Sequence, residues 1–99
     1  MNQILRQGDV LIIPSDKLIS GTKLPHITLA EGEVTGHRHR ISNGDAKLYE
    51  RDGVLFLKVL SPTALLTHEE HAEVTIPKGD WEIRIQREYS PKGSRYVAD

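Results

Sequence analysis

The sequence predicts an all-β fold, a small antiparallel barrel or sandwich with little or no helix. Short apolar or alternating segments recur along the chain, separated by glycine, proline, asparagine and aspartate. No hydrophobic repeat of about 3.6 residues persists along the chain, as a helix would require. A chain of 99 residues has the length of one small domain. We therefore expect a single β-barrel domain over residues 1–99, with 90–99 as a C-terminal tail.

The first strands are marked by apolar runs and turn residues. Residues 9–14, "DVLIIP", form an apolar run that stops at its proline. Residues 52–62, "DGVLFLKVLSP", begin with an Asp-Gly turn and stop at Pro62. Between them, "SGT" (20–22) and "SNGD" (42–45) indicate further turns. We predict a strand in each apolar run.

The last long segment, residues 73–89, alternates in polarity on both sides of 77–80, "PKGD". Proline and glycine supply turn geometry at that point, so the segment is either a hairpin or a corner between two sheets. In both cases the alternation places Trp81, Ile83 and Ile85 on the face that packs on the core.

Composition and charge exclude several classes of protein. The 13 basic and 14 acidic residues give a net charge of −1, which argues against binding of long nucleic acid, because such binding needs a basic surface. No apolar run approaches the roughly 20 residues that span a bilayer, so we do not expect a membrane protein. The chain has no cysteine, and its first residues do not resemble a secretory signal. These observations favour a cytoplasmic protein.

Four of the five histidines form two closely spaced pairs. His37 and His39 occur in "GHRH", and His68 and His71 occur in "THEEH". A closed barrel can bring such separated segments together, so we predict that the two pairs share one functional site. The alternative is that the four imidazoles only fill the polar end of a barrel.

Two arginines are interleaved with the first histidine pair. Successive side chains of an extended strand point to opposite faces. His37 and His39 should therefore share one face, and Arg38 and Arg40 should share the other.

One interpretation of the histidines is a metal site. Imidazole is the commonest metal ligand, and three or four converging nitrogens would suit zinc, iron, copper or nickel. Glu69 or Glu70 could add an oxygen ligand.

The other interpretation is an acid–base site without metal or cofactor. Cleavage of a ribose phosphodiester needs a base for the 2′-hydroxyl, an acid for the leaving 5′-oxygen, and cations for the phosphorane. Neighbouring arginines favour a neutral imidazole that acts as a base, whereas Glu69 or Glu70 can either hold a histidine protonated as an acid or orient its ring. The candidate catalytic residues are His37, His39, His68 and His71.

Five further side chains are candidates for binding an anionic substrate. Arg87 and Tyr89 end the core-facing row of "IRIQREY", and Lys58 interrupts "VLFLKVL". Arg87 could instead pair with Glu70 or Glu88 in a structural salt bridge, and Lys58 could extend to solvent. The full candidate set is Arg38, Arg40, Lys58, Arg87 and Tyr89.

The histidines and the turn resemble the cupin superfamily. Its first motif has histidine-x-histidine after a glycine, like Gly36, His37 and His39, and its second has proline-x-glycine, like Pro77 and Gly79. The cupin glutamate after the first motif is absent, and the second histidine pair precedes the proline. The resemblance implies a cupin-like barrel and, as the alternative function, a metal-binding mini-cupin, an enzyme or sensor with His37, His39 and His68 or His71 as ligands.

The whole chain resembles a second family, small barrel-fold ring nucleases of type III CRISPR systems in actinobacteria and their phages. The matching segments are "QGDVLI", "LAEGEVTGHRHRI", "LLTHEEH", "IPKGDWEI" and "QREYSP" followed by "RYVAD". This resemblance implies metal-independent cleavage of cyclic oligoadenylates by 2′-hydroxyl attack, which switches off antiviral signalling. It also implies a homodimer. A third possibility is a non-catalytic protein that only sequesters the cyclic oligonucleotide or acts as a regulatory subunit.

Overall fold

In a computed structural model, the described residues are 3–16, 19–32 and 36–86, followed by the backbone of 88–90 and 93–95. Within these ranges the chain contains ten strands and no helix, and the main sheet is antiparallel, which confirms the all-β prediction. No helix in the described ranges is long and apolar enough to cross a membrane. The strands are β1 (Leu5–Gln7), β2 (Val10–Pro14), β3 (Thr22–Lys23), β4 (Thr28–Glu31), β5 (Arg38–Asn43), β6 (Ala46–Arg51), β7 (Val54–Thr67), β8 (Val74–Ile85), β9 (Glu88–Ser90) and β10 (Gly93–Arg95).

Eight strands form one sheet in the order β1–β2–β8–β7–β5–β4, with β6 paired to β7 and β3 paired to β6. The first part of β7, Val54 to Val59, pairs with β6, whereas its last part pairs with β5. β7 also pairs with β8 along most of its length. These two long strands therefore connect two halves of the sheet: a first half with β1, β2, β3 and β6, and a second half with β4 and β5. The second half, with β5 and β4, carries the histidines.

A bulge separates the two halves of β7. Residues 60–62 of β7 lie opposite Lys78 alone in β8, between the pairs Val59–Gly79 and Thr63–Pro77. The bulge accommodates Pro62, which cannot donate a ladder hydrogen bond. The prediction that this strand ends at Pro62 is therefore wrong, since it continues to Thr67.

The described part of the segment 73–89 does not contain a hairpin at residues 77–79. β8 continues through Pro77 and Gly79 as one strand, Val74–Ile85. Trp81 and Ile83 are buried and Ile85 packs against the core, which confirms the predicted inward face.

One hydrophobic core is common to both halves of the sheet. It combines buried side chains of the first half, such as Ile12 and Leu57, with those of the second half, such as Ile41 and Leu66. Trp81 is fully buried in it, and its Nε1 donates a hydrogen bond to the Pro77 carbonyl, 3.0 Å away.

The predicted tail contains strand β10, which pairs with β9 in a separate two-stranded sheet. Of the predicted site residues, Arg87 and the side chain of Tyr89 lie outside the described part of the chain.

Candidate active site

The structure brings all four paired histidines into one cluster. The His68 ring contacts the other three, with centroid distances of 4.2 Å to His39, 4.6 Å to His71 and 5.4 Å to His37. His39 and His71 are nearly parallel at 5.8 Å. Imidazoles from two segments about 30 residues apart in sequence therefore form a single site.

Strand pairing explains why the two segments meet. β5 pairs with the end of β7, and Arg40 lies opposite Thr67. His39 is on β5 and His68 directly follows β7, so their rings come into contact on the inner side of the sheet.

Burial alternates along β5 as an extended strand requires. His39 is buried, whereas Arg38 and Arg40 on either side of it are exposed. His37 lies just before the strand, and its side chain is 25% exposed. The arginines and His39 are thus on opposite faces.

The histidines differ in depth. His39 is 1% exposed and His68 is 9% exposed, while His71 is half-buried. His39 is therefore the most buried ring of the three and packs against His68 from the inner side. The catalytic role predicted for His39 stays a prediction.

A backbone hydrogen bond determines where His68 carries its proton. The N–H of Glu70 donates to Nδ1 of His68 over 3.0 Å. Because Nδ1 accepts this bond, the neutral ring carries its hydrogen on Nε2. In this arrangement His68 offers an N–H donor from Nε2.

In His39 a buried glutamine places the ring hydrogen on the other nitrogen, Nδ1. The Gln7 amide nitrogen donates to the carbonyls of Leu66 and Ala72, each at 3.0 Å. Its oxygen Oε1 consequently faces Nδ1 of His39, at 2.9 Å. Since Oε1 can only accept, His39 carries a hydrogen on Nδ1.

A buried carboxylate lies on the other side of the His39 ring. Asp9 is 6% exposed, and its Oδ1 is 3.7 Å from Nε2 of His39, within ion-pair distance. A proton on Nε2 would compensate the buried charge of Asp9.

Gln7 and Asp9 were not predicted from the sequence to be site residues. Both flank Gly8 in the segment "QGDVLI". A possible signal was that a glutamine and an aspartate directly precede the apolar strand β2, where core-facing side chains begin.

Two glutamates face the histidines from the loop after β7. Oε2 of Glu70 is 3.4 Å from Nδ1 of His37, which favours a proton on that nitrogen. Oε1 of Glu69 accepts the Arg38 backbone N–H at 2.9 Å. That hydrogen bond, a second from its own backbone N–H, and the nearby His37 and His68 hold the pKa of Glu69 below its ordinary value.

The outer face of the site carries the two arginines. Arg38 and Arg40 line a surface pocket of about 200 Å³ together with Thr67, His68 and Glu69. Glu31 Oε2 is 3.6 Å from Nε of Arg38. His68 thus connects the inner histidine cluster with a cationic outer pocket.

Lys58 lies elsewhere in the structure. It is in the first half of β7, on the outer face, opposite Lys47 of β6 and Asp80 of β8. The histidines belong to the second half of the sheet, so this position gives no support to the predicted contact of Lys58 with the substrate.

Among the described residues, no group of three or more histidine, cysteine, aspartate and glutamate side chains is arranged so that it could hold a metal ion. The metal-binding alternative stays a prediction.

Comparison with known protein families finds a match over most of the chain. The model of a family described as Domain of unknown function (DUF8820) matches residues 6–86, a range that includes the four paired histidines, Gln7 and Asp9. No curated protein matches the chain. No solved structure matches it.

Proposed function

Since the chain belongs to the family described as a domain of unknown function (DUF8820), we propose its function from the site. The proposed function is that of a ring nuclease, a metal-independent phosphodiesterase that cleaves cyclic oligoadenylates and so ends antiviral signalling. One observation carries the proposal: His68 contacts both His37 and His71 and also lines the pocket that contains Arg38 and Arg40.

The outer pocket would bind one phosphate of the ring. Guanidinium groups form charge-assisted hydrogen bonds to phosphate, and Arg38 and Arg40 supply two of them in a protein of net charge −1. A short, locally held anion suits such a patch better than a long nucleic acid does.

The proposal assigns the two proton transfers to His37 and His71. With its Nδ1 proton directed at Glu70, the neutral His37 ring has its lone pair on Nε2, as a general base requires. This nitrogen takes the 2′-hydroxyl proton, and the 2′-oxygen forms a bond to phosphorus. The bond from phosphorus to the 5′-oxygen breaks as His71 protonates that oxygen. The products are a 2′,3′-cyclic phosphate and a 5′-hydroxyl.

His68 would stabilise the phosphorane. Its Nδ1 accepts the Glu70 N–H, so a neutral His68 can donate from Nε2 to a phosphate oxygen while remaining uncharged. Its ring contacts with both His37 and His71 support this role beside the proposed base and acid.

The test is cleavage of cyclic tri-, tetra- and hexaadenylate in excess EDTA, followed by mass spectrometry of the products. We expect linear oligoadenylates that end in a 2′,3′-cyclic phosphate. Replacing His68 with alanine should lower kcat by at least ~100-fold, the cost of losing one donor to a developing oxyanion.

His26→Ala is the matched control, because His26 lies in an exposed segment where its Nδ1 accepts the Thr28 N–H. This variant should cleave like the wild type. Activity that disappears in EDTA and returns with a transition metal would support the mini-cupin alternative instead. Tight binding of the ring without cleavage would support a protein that only sequesters it.

A further inference from the structure

We propose that Gln7 and Asp9 are positioning residues of this site, which act on the reaction through His39 and through the loop that carries His68 and His71. The inference rests on the proposed function and assigns to the β1–β2 hairpin a role in catalysis without substrate contact.

Gln7 forms hydrogen bonds to both ends of the loop that carries His68 and His71. Its amide nitrogen donates to Leu66 O, just before the loop, and to Ala72 O, just after the second histidine of the pair. The two bonds hold together the ends of the segment 67–71. Gln7 is 2% exposed, so water does not easily replace these bonds.

The same amide orients His39. With both N–H groups directed at carbonyls, Oε1 must face His39, and a glutamate in this place could not form the two bonds to Leu66 and Ala72. One side chain from β1 therefore determines both the position of the loop and the orientation of the His39 ring.

Asp9 acts on His39 from the other side. Its carboxylate lies 3.7 Å from Nε2 of His39, and the His39 ring packs on His68 at 4.2 Å with an angle of 34°. Among the described residues, the titratable and charged groups around His39 include Asp9, from the turn before β2, and His68 and His71, from the loop after β7, with Arg38 and Arg40 adjacent in β5. Asp9 therefore determines the orientation of the His39 ring and places a carboxylate next to the ring that packs on His68.

The test uses the full chain with Gln7→Glu and Asp9→Asn, which keep the size of each side chain. We expect kcat to fall by up to ~100-fold, as a catalytic group misplaced by about 1 Å can cause. KM should stay near the wild-type value, because the phosphate pocket is on the outer face. The pH profile of kcat should also shift in Asp9→Asn, which a purely structural role would not produce. Gln3→Ala, at an exposed position of the same end of the chain, is the control.

A second measurement does not depend on activity. Imidazole ¹⁵N spectra of the wild type should show a hydrogen on Nδ1 of His39 and on Nε2 of His68, and Gln7→Glu should change both signals. Unchanged imidazole signals together with an unchanged pH profile in both variants would overturn the inference. If the wild type cleaves no ring but the spectra respond as expected, the proposed reaction is wrong, whereas Gln7 and Asp9 still position the imidazole rings of the site.

Discussion

At the scale of single residues, His39 and His68 show how different hydrogen-bond partners place the hydrogen on different nitrogens of the same kind of side chain. Their rings are 4.2 Å apart, yet Nδ1 donates to Gln7 in His39 and accepts from Glu70 in His68. Sequence spacing predicted that these rings would meet. It did not predict their hydrogen positions, because the partners are a glutamine far along the chain and a backbone N–H in a loop.

Arg40 provides a prediction at this scale. Arg40→Ala should raise KM for cyclic oligoadenylate by about tenfold, the lower end expected for an exposed hydrogen bond to a charged group. The kcat value should change less, because Arg40 lies on the face opposite the buried His39. Steady-state kinetics at two salt concentrations measures both effects.

The control for this prediction is Arg51→Ala. Arg51 is an exposed arginine at the end of β6, in the other half of the sheet, where it donates to Ser20. An equal rise of KM in Arg51→Ala would show that net charge, and not the pocket, determines binding.

At the scale of elements, two tight turns define the strands that carry the site. Asp52 and Gly53 both have positive φ, 51° and 79°, as the hairpin between β6 and β7 requires. Gly44, with φ of 95°, lies in the turn between β5 and β6. The sequence predicted both turns from their residues, because turn preferences are local properties of the chain.

The two glycines should respond differently to substitution. A Cβ at Gly53 would meet no atom within 4 Å, so Gly53→Ala should lower the free energy of unfolding only by the backbone cost, about 1–2 kcal/mol. A Cβ at Gly44 would lie 2.6 Å from the Thr63 carbonyl oxygen and 2.7 Å from the Ala64 Cα. Gly44→Ala should therefore cost clearly more, as urea denaturation can measure. Equal losses would contradict the close approach of β7 to this turn.

At the scale of the whole molecule, one core connects the half of the sheet that carries the histidines with the half that carries Trp81. Gln7 and Asp9 come from β1 and the turn that follows it, beyond β2 in the sheet order, yet they reach His39 on β5. The sheet must curve around the core for this contact to form. The homodimer implied by the family resemblance stays a prediction.

A shared core predicts one cooperative unfolding transition. Leu66 is fully buried in the histidine half, so Leu66→Ala should lower the free energy of unfolding by about 2–5 kcal/mol. Fluorescence of Trp81, the single tryptophan, should report the same midpoint as far-UV circular dichroism, although Trp81 lies in the other half.

Ile4→Ala is the control, since Ile4 is 62% exposed. It should change stability by no more than about 0.5 kcal/mol. Separate midpoints for fluorescence and circular dichroism in Leu66→Ala would show that the two halves unfold independently.

The sequence by itself determined the all-β class, the main turns, the inward face of Trp81 and Ile83, and the opposite faces of His39 and its flanking arginines. These features follow from alternation and turn chemistry, which act between near neighbours in the chain.

Only the tertiary structure decided the depth of His39, the inclusion of Gln7 and Asp9, the separation of Lys58 from the histidines, and the passage of β7 through Pro62. Each depends on which strand lies beside which and on where a bulge shifts the register. Local sequence preferences do not contain that information, because pairing between distant strands is selected by the packing of the common core.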